Sequence, residues 1–226
     1  MTAEPRPRQG PVIVIDDHDL LSVSLVLVLQ RAGLDARRLP VRHREEIVAD
    51  AGPTSGGVAV VDLNLGSHPG QGTLHGHEII PSLRGSGWRV LAMSGSATRE
   101  ALADAVVAGA EGIVDKSSST DAFVASIRRL LAGEDVMELS ERDDLLRVAR
   151  QAQMRRTQSA AVLDRLTHRE RQVLERLAEG YRAAAIAEEF VVSLTTVRSQ
   201  IRAVLGKLGV GSQLEAVALL HASSSL

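Results

Sequence analysis

In the first part of this chain the apolar residues come as short bursts, each delivering a chemically useful polar residue, aspartate, serine or lysine, to its carboxyl end. Val-Ile-Val-Ile (12–15) leads to Asp16 and Asp17, Val-Ala-Val-Val (58–61) to Asp62, Val-Leu-Ala-Met (90–93) to Ser94, and Gly-Ile-Val-Asp (112–115) to Lys116. Such runs read as strands buried on both faces, as in a parallel sheet. Between them the spacing turns helical, over 20–32 with Gly33 as a stop, 42–51, 77–85, 98–108 with Gly109 as a stop, and 120–132. A weaker strand falls near 35–39, and a Gly-rich loop follows Asp62. Pro81 is tolerable if its helix starts near His77, because the N–H groups of a first turn have no intrahelical partner. Strands alternating with helices in this way predict a doubly wound, five-stranded parallel α/β sheet over 11–133.

The pattern then changes. Residues 134–160 are charged and Arg-rich, with Leu145, Val148, Ala149 and Ala152 at amphipathic helical spacing, and predict a partly helical linker. From 161 to 226 only short helices are expected. Thr167 and Glu170 form a capping box for a helix that stops at Gly180. A second helix covers about 182–190, a third starts on Ser193 and runs to about Leu208, and Ser212 with Glu215 caps a fourth. In the third, Val197, Ile201, Val204 and Leu208 repeat at core spacing, while Arg198, Ser199 and Arg202 fall on the opposite face. A helix, a tight turn and a longer helix bearing arginines outline a small all-α helix-turn-helix domain.

Composition narrows the classes. Of 226 residues 44% are hydrophobic but only 2% aromatic, so the cores must be built from Leu, Val, Ile and Ala. The absence of cysteine rules out disulfides and thiolate metal sites. No apolar stretch approaches the roughly 20 residues that span a membrane, and residues 1–10 carry no secretory pattern but read as a disordered tail, so a cytoplasmic protein without a membrane partner is expected. The net charge of −2 hides an asymmetry, with 11 basic and 14 acidic residues over 11–133 and 8 basic and 7 acidic over 161–226. Between Phe190 and Leu214 lie Arg198, Arg202 and Lys207 and no acid, a modest nucleic-acid signal.

In an open α/β sheet the ligand site lies beyond the carboxyl ends of the strands. Asp16, Asp17, Asp62, Ser94 and Lys116 should therefore converge on one crevice. Carboxylates there suit Mg²⁺, a hard cation that takes oxygen ligands, and the ammonium and hydroxyl suit a phosphoryl group. The set reads as a site where an aspartate receives phosphate. Any one of these residues alone would be a turn aspartate or a surface lysine.

The Asp-Asp-His of 16–18, with Asp62, Ser94 and Lys116 in order and 22 residues from Ser94 to Lys116, resembles a bacterial two-component response regulator of the NarL/FixJ type, a flavodoxin-like receiver followed by a LuxR-type domain. Leu166 to Ala218 resembles the LuxR-type DNA-binding domain, through Ile186-Ala187, Thr196-Val197-Arg198 and Lys207-Leu208-Gly209-Val210. The resemblance implies a transcription regulator rather than an enzyme. Asp62 would be phosphorylated by a histidine kinase, with Mg²⁺ held by Asp16, Asp17, Asp62 and the backbone carbonyl of Asn64, and with Lys116 and Ser94 on the phosphoryl group. The helix from Ser193 would read double-stranded DNA through Arg198, Ser199 and Arg202, with Thr195, Thr196 and Lys207 on phosphates. A homodimer on activation is expected, with Leu214, Val217 and Leu220 as an apolar contact strip or simply as part of the domain's core.

The sequence departs from the receiver pattern in three places. Ile113 stands where an aromatic is usual, Ser117 rather than proline follows Lys116, and the loop after Asp62 is long and carries His68, His75 and His77. Those histidines could hold a metal, although loop histidines are more often solvated surface. Two other readings remain open on the residues, a Mg²⁺-dependent haloacid-dehalogenase-like phosphohydrolase and a DNA-binding protein whose first domain answers to a partner or ligand instead of phosphate.

Overall fold

A computed structural model describes residues 10–68 and 72–224. Apart from Gly10, the expected tail lies outside the described residues. The chain divides into two compact units, 1–149 and 150–226.

In the first unit the elements are β1 (Val12–Ile15), α1 (Asp19–Arg31), β2 (Ala36–Leu39), α2 (Arg44–Ala51), β3 (Val58–Asp62), β4 (Asn64–His68), β5 (Gly72–His75), α3 (Gly76–Gly85), β6 (Arg89–Ser94), α4 (Arg99–Ala108), β7 (Gly112–Asp115) and α5 (Thr120–Leu131). Five strands form a parallel sheet in the order β2-β1-β3-β6-β7, with the connection reversing direction between β1 and β3. This is the doubly wound order that opens a crevice at its switch point.

Side chains alternate across the sheet with the two-residue period of a strand. Ile13, Ile15, Ala59, Val61 and Val90 face α2 and α3, meeting Ile47, Ile79, Ile80 and Leu83. Val12, Val14, Val58, Val60, Leu91 and Met93 face α1 and α5, meeting Leu29, Phe123, Ile127 and Leu130. The central strands β1 and β3 are buried along their whole lengths, and each fully buried Val, Leu or Ile contributes about 1.5–3 kcal/mol. Trp88, 2% exposed, closes the amino end of the sheet and donates its indole N–H to the Gly52 carbonyl at 2.7 Å.

Two expectations change here. The Gly-rich loop after Asp62 is an antiparallel β4–β5 hairpin with a register shift between Asn64 and Ser67. Buried Leu65 and Leu74 root it in the core, an anchoring that the glycine content conceals. And α3 starts at Gly76, so Pro81 sits in its second turn and not its first, where it contributes no backbone N–H to the helix.

The expected partly helical linker, 134–160, is non-helical over 134–138 and from Leu139 belongs to one continuous helix, α6 (Leu139–Leu163), and the division between the units falls inside it. Leu145 packs with Ala103, Val106 and Met137 in the first unit, and Leu163 packs with Leu174, Val204 and Leu208 in the second. The second unit continues with α7 (His168–Ala178), α8 (Ala183–Glu189), α9 (Leu194–Leu208) and α10 (Gln213–Ser224). Its helix starts follow the sequence. Thr167 accepts from the Glu170 N–H while the Glu170 carboxylate accepts from the Thr167 N–H, and Ser193 and Ser212 cap α9 and α10.

Candidate functional site

The parallel register sets the strand ends level. Ile15 lies beside Val61, Asp62 beside Met93, and Ser94 beside Asp115. Chemistry-bearing residues that are distant in sequence thus reach one crevice of about 650 Å³, lined by His18, Asp62, Asn64, His75, Ser94 and Lys116 among others. Asp16 is fully buried and Asp62 is 2% exposed. Lys116 Nζ stands 2.6 Å from Asp62 Oδ2 and 2.8 Å from Asp16 Oδ2, so one ammonium joins two carboxylates. Burial pushes the Asp62 carboxyl above the usual carboxylate range, more than the hydrogen bonds from Lys116 and the Asn64 N–H pull it down, and the nearby Asp16 charge pushes the same way. Burial works against the charged Lys116, but its two carboxylate partners outweigh it and raise the lysine pKa. Ser94 Oγ accepts from the Ala97 N–H at 2.8 Å, which leaves its own proton free to donate.

Asp16, Asp17, His18 and Asp62 each offer a ligand atom within 4.8 Å of the others. His18 Nδ1 is 2.8 Å from Asp17 Oδ1, and the Asp16 carboxylate accepts the His18 N–H at 2.7 Å. Asp16 Oδ2 and Asp17 Oδ1 are buried yet accept no well-formed hydrogen bond, because their contacts to Lys116 and His18 have ion-pair distance without hydrogen-bond geometry. Three carboxylates against one ammonium leave an excess of negative charge on buried oxygens, a donor set that fits a hard divalent cation. His18 sits in this cluster although its sequence signal was only its place beside two aspartates.

The hairpin reaches the same cluster. A Cβ added to Gly66, whose φ is +74°, would lie 2.7 Å from Asp17 Oδ2, so the β4 backbone passes directly against that carboxylate. His75, the last residue of β5, lines the crevice, and its ring stacks on His77 with centroids 5.6 Å apart. The side chain of His68 lies outside the described residues, and among the described residues the histidines after Asp62 form no metal cluster. Ile113 is partly buried against Ala103, Val106 and Leu145, a packed aliphatic residue where a mobile ring was the usual expectation.

In the second unit α9 buries Val197, Ile201, Val204 and Leu208 against α7, α8 and α10, as its spacing predicted. Thr195, Thr196, Arg198, Ser199 and Arg202 are exposed. Among the described residues neither Arg198 nor Arg202 has a hydrogen-bond or ion-pair partner. A basic, uncommitted helix face backed by an apolar one is the arrangement of a recognition helix.

Residues 164–220 match the family model described as bacterial regulatory proteins, luxR family. The chain is 30% identical over 210 residues to the nitrate/nitrite response regulator protein homolog of Haemophilus influenzae, a match covering 92% of this chain and 94% of that protein. The chain belongs to the NarL/FixJ-type response regulators. It is also 28% identical over 225 residues to the probable transcriptional regulatory protein NarL of Mycobacterium tuberculosis, covering 96% and 95% of the two chains. Full-length FixJ from B. japonicum is 24% identical, with a TM-score of 0.47 over 97% of this chain and 100% of that one.

As a response regulator the chain thus carries a receiver unit and a LuxR-type DNA-binding domain. In that domain Lys207, expected on a DNA phosphate, has a partner within the fold. Its ammonium lies 2.6 Å from Glu170 Oε2, and this bond, with those from Thr167, holds the Glu170 carboxyl below the usual carboxylate range. A phosphate contact by Lys207 has to compete with that pair. The expected apolar strip is also divided, since Val217 and Leu220 pack against the domain's own core while Leu214 is 80% exposed.

The Lys207 pair gives a stability prediction. Because Lys207 is about a third exposed, Lys207→Ala should cost only about 1 kcal/mol in urea unfolding at neutral pH. A carboxyl whose folded pKa is depressed stabilises above its unfolded value and loses that stabilisation as pH falls through its folded value. The cost of Lys207→Ala should therefore vanish below the ordinary carboxylate range. An equal cost at acid pH would place the lysine's role elsewhere.

Among the described residues no single helix is long and apolar enough to cross a membrane.

Proposed function

We propose that Asp62 accepts a phosphoryl group from a histidine kinase with the help of Mg²⁺, and that phosphorylation of the receiver controls homodimerisation, sequence-specific binding to double-stranded DNA and hence transcription. The observation that carries this reading is the buried Asp62 carboxylate facing an open crevice, joined by Lys116 to Asp16 and flanked by Asp17. Asp62 attacks phosphorus as the nucleophile, the bond from phosphorus to the donor nitrogen breaks, and an acyl phosphate forms. Lys116 moves its charge from the carboxylates to the new phosphoryl oxygens, and Ser94 donates its free hydroxyl proton to one of them. Mg²⁺, held by Asp17 and Asp62 with support from Asp16 and the Asn64 carbonyl, would neutralise phosphoryl charge during transfer.

On this reading the protein is a switch and not an enzyme that turns over external substrates. Acetyl phosphate with and without Mg²⁺, followed by intact mass, separates the three readings. One added phosphate that requires Mg²⁺ supports the proposal. Turnover of unrelated phosphoesters supports a phosphohydrolase, and no reaction supports control by a partner or ligand.

The hairpin adds a prediction about the metal. Gly66→Ala drives a methyl group into the Asp17 carboxylate, so Mg²⁺ affinity by calorimetric titration should fall about ten- to a hundredfold, as when a ligand loses its supporting contacts. Asp17→Ala should abolish binding. Unchanged affinity in both variants, with the circular dichroism of the fold intact, would put the metal elsewhere.

A further inference from the structure

Among the described residues seven helices end on the same pair of hydrogen bonds, in which one residue in the left-handed region donates its N–H to the carbonyl three residues before it and the next residue donates to the carbonyl five before itself. Six of these left-handed positions are glycines, Gly33, Gly87, Gly109, Gly133, Gly180 and Gly209. The seventh, closing α8, is Val191, whose φ is +54°. Its N–H bonds the Glu188 carbonyl, and the Val192 N–H bonds the Ala187 carbonyl at 3.0 Å. Among the described residues Val191 is the one non-glycine residue with positive φ. A β-branched side chain there clashes with its own backbone, a penalty that glycine lacks.

Packing does not explain the valine. Phe190 and Val192, on either side, pack with Ile186, Ala187, Val197 and Ile201, and Arg169 lies over the Phe190 ring at 3.7 Å. Val191 itself is 89% exposed. A strained backbone thus coincides with an apolar side chain left in solvent. That side chain stands in the turn just before Ser193, the cap of α9, close in sequence to Leu194, which is 36% exposed. The exposed hydroxyls of Thr195 and Thr196 and the uncommitted Arg198 follow on the same helix. From Phe190 to Leu214 there is no acidic residue to repel a polyanion. The amino end of a recognition helix is the part that meets base edges in the major groove.

We infer that Val191 is an apolar DNA contact at the entry of the recognition helix, made either to a thymine methyl group or to the apolar face of a deoxyribose, and that this contact is what the strained turn is kept for. The inference rests on α9 being the recognition helix. Apolar contact is how a protein tells thymine from cytosine without a hydrogen bond.

The test uses the full chain and a duplex enriched from a random library by the wild-type protein. Val191→Gly relieves the strain, so the melting transition of the DNA-binding unit should rise by about 5 °C, while affinity for the enriched duplex should fall on the order of tenfold, the worth of one buried Val side chain. Val191→Thr keeps shape and strain but replaces a methyl with a hydroxyl; its melting should be unchanged and its affinity should also fall. Replacing thymines by uracil one at a time removes single methyl groups. If one position costs the wild type about fourfold and costs Val191→Gly nothing, the contact is a thymine methyl. If no position does so while both variants bind weakly, it is a deoxyribose.

A more stable Val191→Gly that binds the duplex as tightly as the wild type overturns the inference, as does a Val191→Thr that binds unchanged. Arg198→Ala keeps the two readings apart. If it loses discrimination while the Val191 variants do not, only the inference fails; if none of them loses affinity, the assignment of α9 fails as well.

Discussion

Asp62→Asn abolishes phosphate incorporation from acetyl phosphate, so that the single added mass seen in the wild type disappears. The expectation follows from the crevice, where Asp62 is the carboxylate that both ends a central strand and meets Lys116. Retained labelling in the variant would move the site to another residue, Asp17 first. The same substitution should raise stability. Burial lifts the Asp62 pKa, so the ionised group destabilises the folded state at neutral pH. Wild-type stability should therefore climb as pH falls from neutral through the raised pKa of Asp62 towards the ordinary carboxylate value. Asp62→Asn should be more stable than the wild type at neutral pH and should lack that climb. Urea unfolding across pH checks both. A variant less stable than the wild type at neutral pH would mean that the lost Lys116 bond outweighs the relief of burial and repulsion.

Arg198→Ala costs roughly 1–3 kcal/mol of binding to the preferred duplex, and most of the loss is discrimination. Arg198 is exposed on α9 and has no partner among the described residues, so its fork of donors is free for a base edge or a phosphate. Competition between the preferred and a random duplex at fixed salt decides between these. A base contact shrinks the ratio of the two affinities, and a phosphate contact weakens both alike and flattens the salt dependence by about one unit. Loss of neither affinity nor discrimination would remove Arg198 from the interface.

Much of this was legible without coordinates, for a physical reason. Strand bursts, helix periods and caps are short-range patterns. Val12–Ile15 and Val58–Asp62 announce themselves because burial on both faces demands unbroken apolar runs. Thr167 with Glu170, and Ser193, mark helix starts because free N–H groups there need an acceptor within three residues. The meeting of Asp16, Asp62 and Lys116 could also be anticipated, because parallel strands carry their carboxyl ends to one edge.

The sequence by itself therefore determined the α/β sheet, the helix-turn-helix and the meeting of Asp16, Asp62 and Lys116 at the strand ends, but not the places of His18 and His75 in the crevice. What the tertiary structure alone decided depends on approach between residues far apart in the chain, or on a single torsion. The Gly-rich segment after Asp62 has no period of its own, and only its pairing and the anchoring of Leu65 and Leu74 make it a hairpin against Asp17. Lys207 looked like a free cation because Glu170, its partner, lies 37 residues away. The charged stretch from Leu139 is one long helix whose Leu145 and Leu163 pack in separate cores, a partition that its amphipathic spacing alone does not show. Val191 reads in sequence as one more apolar residue, and its strain exists only because the turn between α8 and α9 forces a left-handed backbone on a side chain that resists it.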